Sequence, residues 1–386
     1  MCRRPRLALV SVSARGDFTG KFLWAKGLKS AYDIVLAVPN DGDGYAERIR
    51  EAGVEVAYWA LDRSRGYRMV GWPAVSTLVD LLRERECDIV HSFGHAANFC
   101  SITAARLAGT PTVVASVTGL GSLFIDSSRL VQRGVLLGYR VLARWTSTFI
   151  FENRDDYAVF GIIPEQKKFI LRGNGVDTSH FHPQAVCGEV ALAVRKSLGI
   201  GENDVVVTFV GRLIQHKGIR EMFEAWREIA RVRRNVCLLV VGEHDQANRS
   251  SIPLDGIPHG VRLLGRRDDV REILAVTDVF VNPSYREGLP RTNVEALAMG
   301  KPVITCDVPG SRDTVDDGVS GILVPPRNAA LLRSAMERLI SDPALRLTLG
   351  RAAREKACRE FSLTSRLREV EGLYRRLTAA KGRGGP

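Results

Sequence analysis

The chain has 386 residues, 45% of them hydrophobic and 25% charged, with a formal net charge of +12 at pH 7. That length implies two domains with cores of their own, and the same balance excludes a disordered chain. Basicity of this size suits an anionic substrate or membrane surface; it would also suit nucleic acid, but no helix-turn-helix signature, zinc-finger spacing or interleaved aromatic and basic platform accompanies it.

In chain order, Arg3, Arg4 and Arg6 precede an apolar run over residues 7–14 that mimics a short signal peptide. Its shortness and two serines favour the first buried strand of an α/β domain. Further apolar runs at 33–39, 54–61, 88–92, 112–117 and 148–151 read as strands separated by helix-length sequence, the rhythm of a parallel sheet. The loop after the first strand, Arg15-Gly16-Asp-Phe-Thr-Gly20, carries no Gly-x-Gly-x-x-Gly, and no Walker loop occurs anywhere, which argues against dehydrogenases and P-loop enzymes. Asp41-Gly-Asp43 follows a strand and contains glycine, so it reads as a turn rather than a metal-binding pair. His95 and Thr118 fall at strand ends, where ligands of open sheets gather. Arg129, Arg133, Arg140 and Arg144, spaced 4, 7 and 4 apart, are expected to share one helix face. Leu130, Val131, Leu137, Val141, Leu142 and Trp145 are expected to pack one edge inward, leaving the arginines to water, phosphate or anionic headgroups.

Arg172-Gly-Asn-Gly-Val-Asp177 is a glycine-bearing joint and the best domain boundary. Beyond it the strand rhythm resumes at 205–210, 236–241, 262–264, 279–281, 302–305 and 321–324, giving a second doubly wound domain. After the first of these comes Gly211-Arg212-Leu-Ile-Gln-His-Lys217-Gly218. Gly211 lets the backbone approach a ligand, Arg212 offers a planar fork for phosphate oxygens, and Lys217 adds a compact charge. About seventy residues later, Glu287-Gly288-Leu289-Pro290-Arg-Thr-Asn-Val-Glu295 sets two carboxylates eight positions apart across a strand-to-helix junction. A helix opened by Leu289 or Pro290 leaves Glu287 in the loop before it and Glu295 about two turns along, both in reach of an anion docked at the N-terminus. The seven cysteines form no Cys-x-x-Cys pair and predict buried, reduced thiols. The histidines lack metal-ligand spacing, so no required metal is expected.

Gly-Arg, then Lys-Gly, then Glu-x7-Glu resembles the GT-B glycosyltransferases of family 4, and nearly the whole chain fits. Gly173–Asp177, Leu264-Gly265 and Asp317-Gly-Val-Ser-Gly321 support the likeness. His91-Ser-Phe-Gly-His95 and Thr118-Gly119-Leu-Gly121 bring it closest to bacterial enzymes that extend undecaprenyl-diphosphate-linked saccharides, including the N-acetylgalactosamine transferases of protein glycosylation. The resemblance implies an α/β GT-B fold, two doubly wound Rossmann-like domains facing a central cleft. Residues 1–176 would bind the acceptor, 177–362 the nucleotide sugar, and a last helix over 363–378 would pack back on the first domain.

It further implies retaining, metal-independent transfer from a UDP-sugar, of an N-acetylhexosamine or hexose, to a polyprenyl-diphosphate-linked saccharide. Arg212 and Lys217 would hold the diphosphate, Glu295 the ribose, and Glu287 would face the transferred sugar near the amides of Gly288 and Leu289. Gly211 and Arg266 would complete the donor side, with Arg266 bordering the base, and Gly16, His95, Thr118 and Gly119 would line the acceptor side. Many relatives place a histidine where this chain has Thr118, so that histidine's role does not carry over. The expected location is the cytoplasm, with peripheral docking on an anionic membrane through the four arginines. The alternatives are a nucleotide-sugar epimerase of the same architecture and a non-catalytic nucleotide-sugar-binding protein. An epimerase would convert donor without acceptor; a binding protein would not turn over.

Overall fold

A computed structural model describes residues 3–14, 20–42, 44–62, 71–244, 251–252 and 256–382. Its contacts gather into two units, residues 1–174 with 364–386, and residues 175–363.

The first unit begins β1 (Arg6–Val10), α1 (Lys21–Leu28), β2 (Asp33–Val38), α2 (Tyr45–Glu51), β3 (Glu55–Tyr58), α3 (Trp72–Glu84) and β4 (Ile89–Phe93). It continues α4 (His95–Ala108), β5 (Thr112–Val117), α5 (Gly121–Ile125), α6 (Arg129–Leu142), β6 (Thr148–Phe151), α7 (Arg154–Val159) and β7 (Lys168–Ile170). The strands pair in parallel in the order β3-β2-β1-β4-β5-β6-β7. β4 and β5 are buried along their whole length, as central strands covered on both faces must be. In α3 the buried positions Ala74, Val75, Leu78, Val79, Leu81 and Leu82 follow the helical period, and Pro73 supplies the pre-set φ that suits a first turn. One expectation needs correction: the first strand stops at Val10 rather than at residue 14. The sheet also holds a strand the apolar runs did not announce, β7, whose three half-buried edge residues are too few to show a period.

Side chains alternate across this sheet. Val90 joins a core with Leu78, Tyr139, Phe149 and Phe160, whereas His91 and Phe93 meet Trp24. The last helix of the chain, α14 (Leu363–Gly382), belongs to this unit from Thr364 onward. Its fully buried Tyr374 bonds His91 Nδ1 at 2.5 Å, and a Cβ at Gly27 would strike Leu367.

The second unit contains α8 (Gly188–Ser197), β8 (Val205–Val210), α9 (Ile219–Val232), β9 (Val236–Val241), β10 (Val261–Gly265), α10 (Val270–Ala275) and β11 (Val279–Asn282). Then come α11 (Arg291–Ala298), β12 (Val303–Cys306), β13 (Gly321–Val324), α12 (Ala329–Ser341) and α13 (Pro343–Glu360). The sheet is parallel, ordered β10-β9-β8-β11-β12-β13. Order reverses at β8 and β11, the switch point where open sheets hold ligands outside the carboxyl ends. Arg354 on α13 donates to the carbonyls of Thr178, Phe181 and Ala298 at 2.7–2.8 Å, tying the segment after the joint into this unit. Cys87, Cys100, Cys237 and Cys306 are buried thiols, but Cys187, the N-cap residue before α8, and Cys358, on the solvent side of α13, are exposed.

Candidate active site

At the carboxyl ends of β8, β9 and β10 three loops are laced by backbone hydrogen bonds. Gly211 N donates to Val241 O at 2.9 Å, Gly242 N to Gly265 O at 2.8 Å, and Leu213 N to Glu243 O at 3.0 Å. A Cβ on Gly242 would overlap the Gly211 carbonyl, so this approach requires glycine. Beyond Gly211 the chain makes a single 3-10 turn, Gln215–Lys217, ended by Gly218 at φ 67. Only glycine takes that left-handed angle freely, and here it also lies against the Pro283 carbonyl. Tyr285 N completes the junction by donating to His216 O at 2.8 Å.

The result joins stretches seventy residues apart: Lys217 Nζ donates to Glu287 Oε1 as an ion pair, with side chains 22% and 15% exposed. The Glu287 loop is held from its other side by Glu287 N donating to Pro309 O at 3.2 Å and by Gly310, whose φ of 77 lets it crowd the Glu287 and Gly288 carbonyls. Behind the loop lies a buried polar lattice. Asn282 Nδ2 donates to Asn293 Oδ1 at 2.7 Å, Asn293 Nδ2 to Thr314 Oγ1 at 3.0 Å, and Ser284 Oγ to Asn282 Oδ1 at 2.6 Å. These bonds fix the start of α11 relative to the strand ends, the kind of support that holds a loop to its working geometry.

Helix α11 starts at Arg291 with Pro290 as its N-cap, so Glu295 stands little more than one turn in, not two. It is 4% exposed and accepts from Arg291 Nε at 2.9 Å. Burial holds its carboxyl above the usual range, opposed by Arg291. Leu289 is half-buried before the helix, and Gly288 lies beside Gly310. Arg212 is exposed in the loop after Gly211 and is in none of these ion pairs. Arg266 is about one-third exposed at the end of β10, 3.8 Å from Asp268. Thus Lys217 and Glu287 meet directly, Glu295 is paired within its own helix, and Arg212 and Arg266 stand past the ends of β8 and β10, two strands separated by β9. The sequence reading missed Arg291 and the asparagine pair; the i, i+4 spacing from Arg291 to Glu295 was the available signal.

In the first unit, Gly94 at φ 87 turns β4 into α4 and places His95 in the first turn. His95 Nδ1 bonds Tyr139 Oη at 2.8 Å, and Asn98 Nδ2 donates to the same hydroxyl at 3.0 Å. Burial pushes the His95 imidazole down to about 4, with the Gly119 carbonyl opposing, so it is neutral at pH 7. Thr118 Oγ1 lies next to Gly94, and Gly119 follows at φ 98. Gly16 and Asp43 lie outside the described residues.

The arginine helix corrects the sequence reading twice. Helix α6 ends at Leu142, so Arg144 lies past it. Leu130, Leu137, Val141 and Trp145 are not turned inward but are 79%, 56%, 50% and 41% exposed; Tyr139 and Leu142 take the buried side. At about 100° per residue, Leu137, Leu130 and Val141 follow directly on Arg129, Arg140 and Arg133 around the helix. Among the described residues no group of three or more His, Cys, Asp or Glu is arranged to hold a metal ion, and no helix is long and apolar enough to cross a membrane.

A parallel sheet reversing at β8/β11, with a cation–carboxylate pair at that switch point, is the arrangement in which open α/β sheets hold a ligand. Residues 192–356 match the family model for glycosyl transferases group 1, and residues 23–156 that for a glycosyl transferase 4-like domain. The chain belongs to the GT-B glycosyltransferases built from these two domains. It is similar, at 29% identity over 86% of this chain and 88% of the relative, to the N,N'-diacetylbacillosaminyl-diphospho-undecaprenol alpha-1,3-N-acetylgalactosaminyltransferase of Campylobacter jejuni. It is also 29% identical, over 77% of this chain and 78% of the relative, to the UDP-Gal:alpha-D-GlcNAc-diphosphoundecaprenol alpha-1,3-galactosyltransferase of Escherichia coli. Among solved structures it resembles a sucrose-phosphate synthase from Thermosynechococcus elongatus, with a TM-score of 0.81 at 20% identity, covering 98% of this chain and all of that one.

Proposed function

We propose that this glycosyltransferase moves an N-acetylhexosamine or hexose from a UDP-sugar, with retention, to a polyprenyl-diphosphate-linked saccharide in bacterial cell-surface polysaccharide or glycoprotein glycan assembly. The observation that carries the donor half is the Lys217–Glu287 ion pair before the N-terminus of α11. The names of the two bacterial relatives, both acting on undecaprenol diphosphate saccharides, support the acceptor half.

In this reading Lys217 leaves Glu287 for the donor diphosphate when the donor arrives, and Arg212 joins it. The freed Glu287 carboxylate, an acceptor only, takes hydroxyl donors of the transferred sugar, and Glu295 takes those of the ribose. The glycosidic C1–O bond to the β-phosphate breaks, the acceptor oxygen bonds C1 on the same face, and the acceptor proton passes to the departing phosphate oxygen. Lys217 and Arg212 neutralise the charge that develops there, an electrostatic aid that is in place once the donor is bound and calls on no metal. His95, a neutral imidazole, would serve the acceptor side with Thr118 and Gly119 as a hydrogen-bonding group rather than a base at neutral pH. The exposed arginines and leucines of α6 would rest on an anionic bilayer and bring the lipid-linked substrate within reach.

The test offers purified protein a panel of UDP-sugars with undecaprenyl-diphosphate-linked mono- and disaccharides, following UDP release and product anomericity. Acceptor-dependent UDP release with a product of the donor's own anomeric configuration is expected. Donor interconversion without acceptor would make the protein an epimerase instead, and saturable binding without turnover a binding protein.

A further inference from the structure

Arg291 opens α11, where the positive end of the helix dipole disfavours a cation. Its order relative to Glu295, cation before carboxylate at i and i+4, is also the weaker one in a helix. Local preference therefore does not account for an arginine here. Yet the side chain does two things at once: Nε meets a carboxylate that is 4% exposed, while about a third of the side chain, 35%, stays in solvent at the helix end. Four positions before it is Glu287, itself held by Lys217. Two carboxylates at one helix N-terminus would repel an incoming diphosphate; each is instead neutralised by a cation able to bind phosphate.

We infer that Arg291 is a donor-binding residue: its guanidinium bridges the buried Glu295 carboxylate and the diphosphate of the nucleotide, so that the phosphates and the ribose are gripped as one unit. This rests on the donor reading proposed above, and extends it to a residue that the Gly-Arg, Lys-Gly and Glu-x7-Glu pattern does not include. A guanidinium suits the task because its donors form a fork that can serve two oxyanions, whereas an ammonium is a point charge. The arrangement makes the site sensitive to phosphate: a nucleoside without phosphates would leave Arg291 on Glu295 and gain nothing from it.

Calorimetric titration with UDP and with uridine, on the wild type and on variants at fixed ionic strength, tests this. Arg291→Gln is expected to weaken UDP at least tenfold and uridine less than threefold, and Arg291→Lys to weaken UDP by an intermediate amount; Glu295→Gln should weaken both alike. Because Arg291→Gln leaves a buried carboxylate unpaired, the double variant with Glu295→Gln is measured against Glu295→Gln alone, and should likewise lose at least tenfold for UDP but not for uridine. Equal losses for UDP and uridine would show Arg291 acting only through Glu295 and overturn the inference, as would unchanged UDP affinity. A wild type that binds neither ligand would sink the donor reading itself.

Discussion

Lys217 carries the clearest chemical consequence. Removing one preorganised charge stabiliser costs on the order of a hundredfold or more in turnover. Lys217→Ala is therefore expected to lower kcat at least a hundredfold in the UDP-release assay, and activity within about threefold of wild type would remove the lysine from the reaction. His91 gives a second expectation, on stability. Burial, with Lys21 adding to it, lowers its imidazole to about 3, against about 6.5 when unfolded. Below pH 6.5 the unfolded chain then binds the extra proton, so stability is whole above that value and falls as pH drops toward 4, by up to about 1.4 kcal/mol per pH unit. His95 adds to the same slope, since burial lowers it to about 4. Denaturant midpoints measured from pH 7 to 4 should fall less steeply in His91→Gln; an unchanged slope would show that His91 titrates normally.

Helix α6 shows how an element can be right in its period and wrong in its orientation. The spacing of its arginines was plain in the chain, but which residues shared their side of the helix depended on Tyr139, drawn inward by His95 and Asn98. That leaves Leu130, Leu137 and Val141 beside the arginines, an outer face of mixed charge and grease. Each arginine near an anionic surface contributes about 1 kcal/mol, so Arg140→Glu should weaken binding to anionic vesicles roughly tenfold or more. Leu137→Asp should do the same, whereas a solvated helix would bind anionic and neutral vesicles equally, with neither substitution mattering. The strands were legible for the opposite reason: apolar runs buried on both faces need no partner to be recognised. β7 escaped notice because three half-buried residues hold too little pattern. Arg291 was not legible because a cation before a carboxylate at i and i+4 is the weaker order in a helix, and only the burial of Glu295 makes the pair matter.

Within the second unit the donor-side charges come from distant segments of the chain, and the complete enzyme is open to one further test. With Lys217 and Arg212 supplying the positive charge, turnover in excess chelator should stay within about twofold of that without it; collapse on chelation, restored by a divalent ion, would give the charge-neutralising role to a metal. The local grammar of the chain was enough to establish two doubly wound halves, glycines at strand ends, and four charges in a known order, because periodicity and turn chemistry act between near neighbours. Folding alone decided that Lys217 would sit on Glu287, that Glu295 would be sealed against Arg291, and that the leucines of α6 would stay in water. Those outcomes turn on long-range packing: sheet order brings β8 beside β11, and the closest approaches of Gly218 and Gly310 set where each side chain ends.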